Sequence, residues 1–596
     1  MQTDRNSIDS KYKWNLGAIY ESEEAYQRDF AECERLIGEF PRHEGVMTSS
    51  AEALLAALRD SAEIGRRVNK LWCYAYLNFA LNTADNPAQA RVAKVRSLAV
   101  SADAASWFVS PAIISLSPET AESFYAECEE LRSFSRAIHL GQREKPHTLS
   151  DECEKLMAKL GDSLDSHENI RSIFANSDLQ FGKIRDESGK LVTLEDSSYV
   201  TRLMSLDRRV RRSAFKTLYK TYAQFANTFS TVYSSYVKEQ CTTAAVRNYK
   251  SSLAASTFRD EVTPEIYESL ISSVGASLPV IHDYYRLKKE ALGLSSLHMY
   301  DLYAPLVSEC ERKYSYDEAV SEVLKTAEIF GEEYYSVLKS GLTERGWVDV
   351  YPSKGKQGGA FSAGSSDTEP YILLNYTDTW NDVSTLAHEA GHSMHSYFSR
   401  KYNEPHNSRY TIFVAEVAST VNELLLAHRK LRESNSREEE LSILDGLMET
   451  YKGTLFRQTM FAEFERDAHA MVERGEPLTA DVLCANYRKL IDAYFGTVPV
   501  KDKEIELEWM RIPHFYSAFY VYKYATCISA ASAIVKRLET EGASYADKYI
   551  EFLKCGGSRS PLESLLVAGI DMRDPEVIRG SVLDFAECIK RFREIY

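Results

Sequence analysis

The stretch that most constrains this chain runs from Thr377 to Tyr402, TDTWNDVSTLAHEAGHSMHSYFSRKY. Val383, Leu386, Ala387, Ala390, Met394 and Phe398 recur at helical spacing, so an amphipathic helix is expected here. Asn381 is the expected N-cap, Asp382 lies in the first turn, and Pro405 ends the pattern. In its middle, His388, Glu389 and His392 fit the pattern H-E-x-x-H. At about 3.6 residues per turn the two histidines share one face, close enough to reach one Zn²⁺ at about 2.0–2.1 Å. Glu389 is rotated by about 100° from His388, so it need not be a ligand. It is placed to take a proton from a metal-bound water.

A catalytic zinc needs a third protein ligand and one open position. Metzincin spacing requires a glycine and a histidine where His395 and Phe398 stand. Thermolysin-like and aminopeptidase-like spacings require a glutamate where Ile412 or Thr411 stands. The acidic residues that follow are Glu404, Glu416 and Glu423. Glu404 lies in a polar loop. Glu416 lies in TIFVAEVASTVNELLLAHRK, apolar almost all round and therefore expected to be a buried helix. A carboxylate there is costly unless it is paired or bound to a metal. Glu416 is the expected third ligand, with a buried salt bridge as the alternative. Glu423, two turns on, is expected either to orient a ligand histidine or to form a structural ion pair. His395 shares the face of the two histidines but is more simply a structural neighbour.

The 596 residues carry a net charge of -16, which argues against nucleic acid or an anionic membrane surface as the main partner. No export signal opens the sequence, and no run of apolar residues long enough for a transmembrane helix is seen. The ten cysteines include no CxxC pair and read as reduced thiols, so a cytoplasmic location is expected.

Taken in order, the chain reads as helical over 23–40, 51–82, 84–110 and 119–141, with a further helix capped by Ser150. Residues 178–194 read as a β-hairpin around Ser188-Gly189. The Arg-, Lys- and Tyr-rich stretch 206–245 is expected to be helical with a solvated basic face. Helices follow over 264–292 and 316–342. Trp347–Tyr351 and Tyr371–Tyr376 are β-like, and the glycine-rich 355–364 between them is either a hairpin tip or a substrate-contacting loop. The rest is helical. The acidic residues at 463–467 with His469 are expected on a solvated helix face, and no G-x-S-x-G elbow is present.

These residues carry a resemblance. HEAGH at 388–392, with EVAST beginning at Glu416, resembles the thimet-oligopeptidase-like zinc peptidases. GKQGGAFSAG, PYILLNYTDT, KWNLGAIY, YDLYAP and IPHFYSAFYVYKYAT resemble the oligoendopeptidase F branch. The likeness spans essentially the whole chain. Gln357, where a basic residue is frequent, and Ala390 within HEAGH are small departures. The resemblance implies a mainly α, two-lobed zincin-type metallopeptidase, with a deep central channel and a small β-sheet beside the H-E-x-x-H helix. It implies one Zn²⁺ per chain held by His388, His392 and Glu416, with Glu389 as general base, and endopeptidase action on short peptides. It also implies oxyanion donors from a histidine and a tyrosine near the C-terminus. Matching places these at His514 and Tyr522, with Tyr520 a weaker choice and Tyr516 and Tyr524 also nearby. The expected organisation is an N-terminal helical region over 1–110, a helical segment with the hairpin over 111–200, and a catalytic domain over 201–596. The alternatives are a catalytically silent peptide-binding protein and a metallocarboxypeptidase sharing H-E-x-x-H. The expected partners are short peptides, without nucleic acid or membrane, in a monomer or homo-oligomer.

Overall fold

The computed structural model describes residues 4–307 and 312–596. Helices dominate, as expected, and the strands are short: β1 (Lys183–Arg185), β2 (Leu191–Thr193), β3 (Leu297–His298), β4 (Val348–Asp349), β5 (Phe361–Ala363), β6 (Tyr371–Leu373) and β7 (Pro499–Val500). The chain forms two compact units, each assembled from three separated segments. The first contains Met1–Pro146, Arg312–Arg429 and Ile534–Ile570; the second contains His147–Glu311, Lys430–Ala533 and Asp571–Tyr596.

In the first unit, β4, β6 and β5 form a three-stranded sheet in that order. β4 runs parallel to β6, and the pairing extends beyond both strands through Ile372 N–H to Trp347 O at 2.7 Å and Tyr376 N–H to Val350 O at 3.0 Å. Val348, Val350, Ile372, Leu373 and Leu374 are all buried, the continuous apolar run expected of a covered parallel pair. The N-terminal segment seals this sheet. Trp14 donates its indole N–H to Ile372 O at 2.8 Å, and Tyr371 donates its hydroxyl to Asn15 O at 3.0 Å. The glycine-rich 355–364 is more ordered than a hairpin tip: its last residues form β5, antiparallel to β6 with Ser362 opposite Ile372.

In the second unit the hairpin is present, β1 pairing antiparallel with β2 and turning through Gly189 at φ +84°. Two expectations are corrected here. The basic stretch from 206 is not simply a solvated face: Arg211 is buried and, with Arg208, pairs with the buried Asp301 at 2.9 and 2.8 Å. Nor are Glu465 and His469 solvated. Both are buried, and Glu465 accepts a hydrogen bond from Phe519 N–H at 2.7 Å. The helix Arg457–Glu473 is covered on the face these two residues share one turn apart, while Glu463 and Asp467 pair with Arg466 beside it.

One further stretch departs from the reading. Among the described residues, Asn86–Ser115 is long and apolar enough by composition to be a membrane span. Its apolar residues, Leu98, Val100, Phe108, Val109, Ile113 and Ile114 with several alanines, are interrupted by Asp103 and by serines, and it is two helices, Asn86–Ala105 and Val109–Ser115. The nine cysteines among the described residues are free thiols; Cys310 lies outside them.

The sheet carries a buried charge cluster that generates a test. Asp349 on β4 is ion-paired with Lys356 at 2.8 Å, both side chains essentially inaccessible, and it also takes Arg5. Removing one member of such a set leaves an uncompensated buried charge, at a cost of about 3–5 kcal/mol. Asp349→Ala is therefore expected to lower unfolding free energy by about that amount in denaturant titration, and Arg5→Gln by less because Lys356 stays paired.

Candidate metal centre

The central helix spans Trp380–Tyr402. Its N-cap is Thr379 rather than Asn381, because Thr379 and Asp382 close a reciprocal capping box: Asp382 N–H donates to the Thr379 hydroxyl at 3.2 Å, and Thr379 N–H to the Asp382 carboxylate at 2.9 Å. The carboxylate at the third helical position outcompetes an amide at the second. The helix ends at Tyr402, before Pro405.

The second helix, Ile412–Glu433, packs across it. Phe413, Val414, Val417, Ala418, Val421, Leu424 and Leu426 are buried, as its composition demands. The two helices meet at Gly391: a Cβ built there would come 2.5 Å from Ala418 O and 2.6 Å from Ser419 Cα. Any side chain at 391 would drive the backbones apart. Asn422, buried in the same interface, donates to Ala387 O at 3.3 Å and to the Tyr334 hydroxyl at 3.0 Å.

That approach brings the donors together. His388 Nε2 and His392 Nε2 are 3.1 Å apart, and each lies 3.4 Å from Glu416 Oε2. Three ligands about 2.0–2.1 Å from one tetrahedral ion sit roughly 3.3–3.4 Å from each other. Two imidazoles and a carboxylate at these separations fit a divalent metal of the zinc type. Glu423 Oε2 lies 3.3 Å from His388 Nδ1, which directs Nε2 towards the cluster. Ser419 donates its hydroxyl to Glu416 Oε2 at 3.1 Å.

Glu389 stands apart from this set. It is buried, and its Oε2 has no hydrogen-bond partner among the described residues. Burial pushes its carboxyl above the usual range, so it is an unusually basic carboxylate. Glu416 behaves oppositely: burial opposes its ionisation, but His388 and His392 beside it hold the carboxyl below the usual range. His395 is no ligand. It is buried, stacked on Tyr410 at 3.7 Å between centroids, and held neutral by burial, its pKa pushed down to about 3.

The sequence-expected donors near the C-terminus belong to the second unit and divide into two settings. His514 is half-buried, stacked parallel to Tyr520 at 6.0 Å and edge-on to Tyr524 at 6.1 Å. Burial, and then the charge of Arg171, lower the pKa of His514 and favour its neutral form. Tyr522 is elsewhere: fully buried against Tyr267, it donates its hydroxyl to Asp260 at 3.0 Å. Tyr516 is buried against Tyr233 and Tyr236. The structure thus puts Tyr520 and Tyr524, not Tyr522, beside His514. Three adjacent tyrosines at alternate positions give no sequence signal to separate them.

Sequence reasoning missed β5 as a strand beside the cluster. Ser362 on β5 and Ser393 on the central helix touch through their hydroxyls at 2.9 Å. β5 has no strand partner on its outer side among the described residues. It also missed Asn422; a lone amide in an apolar helix was the available signal.

Gly391→Ala is expected to destabilise the first unit by about 1–3 kcal/mol through overpacking and to weaken metal binding, read by thermal melting and competitive metal titration. Glu423→Gln should leave the melt nearly unchanged and weaken the metal by about 10–100-fold.

Comparison with known proteins is consistent along the chain. The family model described as peptidase family M3 matches residues 203–581, and the one described as oligopeptidase F matches 113–181. Oligopeptidase PepF of Bacillus subtilis (strain 168) is 40% identical over 592 residues, covering 99% of this chain and 88% of the relative. A solved Chlamydophila abortus structure, provisionally assigned as a peptidase, superposes with TM-score 0.91 at 33% identity, covering 100% of both chains. The crystal structure of oligoendopeptidase-F from Enterococcus faecium gives TM-score 0.76 at 32% identity, over 96% of this chain and 99% of that one.

Proposed function

The chain belongs to peptidase family M3 and is a metallo-endopeptidase acting on oligopeptides, and from that premise we propose that it uses one zinc ion held by His388, His392 and Glu416, with Glu389 as general base. The observation that carries the reading is the contrast at the cluster. Three donors converge at tetrahedral separations, while the buried Glu389 beside them keeps one oxygen unpartnered. When bound, zinc acts as a Lewis acid on the scissile carbonyl and makes water a nucleophile near neutral pH.

The chain's own groups do the rest. A peptide lies along the open edge of β5, where backbone hydrogen bonds hold it extended. Glu389 takes the proton of the attacking water and passes it to the leaving amine. Its raised basicity and unpartnered oxygen suit both transfers. Glu423 keeps His388 oriented through Nδ1. His514 and a neighbouring tyrosine donate to the oxyanion that forms at the attacked carbonyl. Of the tyrosines, Tyr520 suits that role better than Tyr522, since the Tyr522 hydroxyl is already committed to Asp260. The cytoplasm is the proposed compartment, which the free thiols support.

Cleavage of an internally quenched peptide tests this. Glu389→Gln is expected to lose about 10²–10⁴-fold in kcat while still binding one zinc, and a chelator should abolish wild-type activity until zinc is restored. Full activity in the Gln variant would overturn the mechanism. Mass analysis should find internal cuts rather than a ladder of single C-terminal losses. Tyr520→Phe should cost about 10²-fold in kcat with little change in melting, whereas Tyr522→Phe should show mainly in the melt.

A further inference from the structure

Arg400 sits in the last turn of the central helix, next to Lys401. Lys401 is exposed and pairs with Glu333. Arg400 turns inward instead. Its guanidinium has no hydrogen bond or ion pair among the described residues, and Nη1 is fully buried. It lies against Gly364, where a built Cβ would come 2.5 Å from Nη1. Burial pulls its pKa below the ordinary arginine value. The residue as a whole is half-buried and faces a cavity, and a guanidinium with one nitrogen shut off from water and no partner is well matched by an anion there.

The cavity that Arg400 lines measures about 520 Å³ and has no Asp or Glu in its wall. Arg66 and Arg409 line it too, with the hydroxyls of Ser365, Ser366 and Ser408. Arg66 is already paired with Glu63 and Asp367. Arg409 is exposed, and with Arg400 it leaves two cations unneutralised in a chain of net charge -16. A planar guanidinium among hydroxyls suits a carboxylate or phosphate oxyanion.

The cavity's place along the helix narrows the choice. Ser362 meets Ser393 beside the metal cluster, and two residues on, Gly364 meets Arg400. β5 and the helix therefore advance together, from the cluster towards the cavity. A peptide pairing antiparallel on the open edge of β5 points its N-terminal half at Arg400. Arg400 follows His392 by eight residues, about 12 Å along the axis, which is roughly three or four extended residues.

We propose that this cavity is an oxyanion site taking the carboxylate of an acidic substrate side chain, three or four residues to the N-terminal side of the cleaved bond. The assignment rests on the metal cluster being the hydrolytic centre.

The test uses full-length zinc-loaded enzyme and quenched peptides carrying Glu or Gln at each position around one cleavage point. Wild type is expected to favour Glu three or four residues upstream roughly tenfold in kcat/KM, with inorganic phosphate competing against the Glu peptide. In Arg400→Gln the ratio should fall to about one, and in Arg409→Gln it should fall part of the way. Arg409 is exposed, so that variant keeps the test open if Arg400→Gln fails to fold. No upstream Glu preference in wild type, a preference only on the C-terminal side, or a ratio unchanged in both variants would overturn the proposal. Phosphate inhibition without any Glu preference would also overturn it, assigning the site to a free oxyanion. Failure of the underlying reading looks different: neither peptide would be cleaved.

Discussion

The two helices that build the metal cluster touch backbone to backbone at Gly391, and the rest of the site depends on that contact. Histidine and glutamate side chains have fixed reach. For Glu416 Oε2 to stand 3.4 Å from both imidazole nitrogens, the facing helix must come as close as main-chain atoms allow. Ordinary helix pairs are held about 8–10 Å apart by the side chains between them. The apolar surface of Ile412–Glu433 supplies the driving force for the approach, and Asn422 fixes the register by reaching across to Ala387 O. Packing therefore sets the coordination geometry, with the ligands carried along.

Around this pair, the sheet fixes what surrounds the cluster. β5 is attached on one side by its ladder to β6 and on another by the Ser362–Ser393 contact, so its position follows the central helix. β6 is in turn tied to the N-terminal segment through Trp14 and Asn15, and β4 through the Asp349 cluster with Lys356 and Arg5. Residues near the start of the chain thus help to hold a strand beside a site almost four hundred positions later.

How much of this the sequence made legible depended on the range of the interaction. The H-E-x-x-H helix, its ends within a few residues, and the buried character of the Glu416 helix all follow from local periodicity. The pairing of Glu416 with the histidines followed from a cost argument: a carboxylate in an apolar helix needs a partner. Misreadings came where context outweighed pattern. Asn381 and Thr379 both suit a cap, and the capping box with Asp382 decided between them. Glu465 and His469 look like half of a charged face, yet they lie under a covering element that periodicity cannot reveal. Three alternating tyrosines look equivalent on paper, but the Asp260 partner of Tyr522 sits more than two hundred residues upstream. β5 was hidden by the glycines that flank it, Gly358, Gly359 and Gly364, which signal a turn more strongly than three residues can signal a strand.

The first unit is discontinuous, and that bears on how the enzyme comes into being. The ligand-bearing helices lie in its middle segment, while Ile534–Ile570 closes it from the far end of the chain. That last segment packs on the central helix: Asn403 donates to Lys554 O at 2.7 Å, and His395 faces Phe552. During synthesis the histidines and Glu416 emerge long before the segment that completes their support. Contacts of such separation form late. A nascent chain therefore carries all the metal-binding side chains before the packing that aligns them is complete, and hydrolytic competence waits until Ile534–Ile570 has been made and has docked.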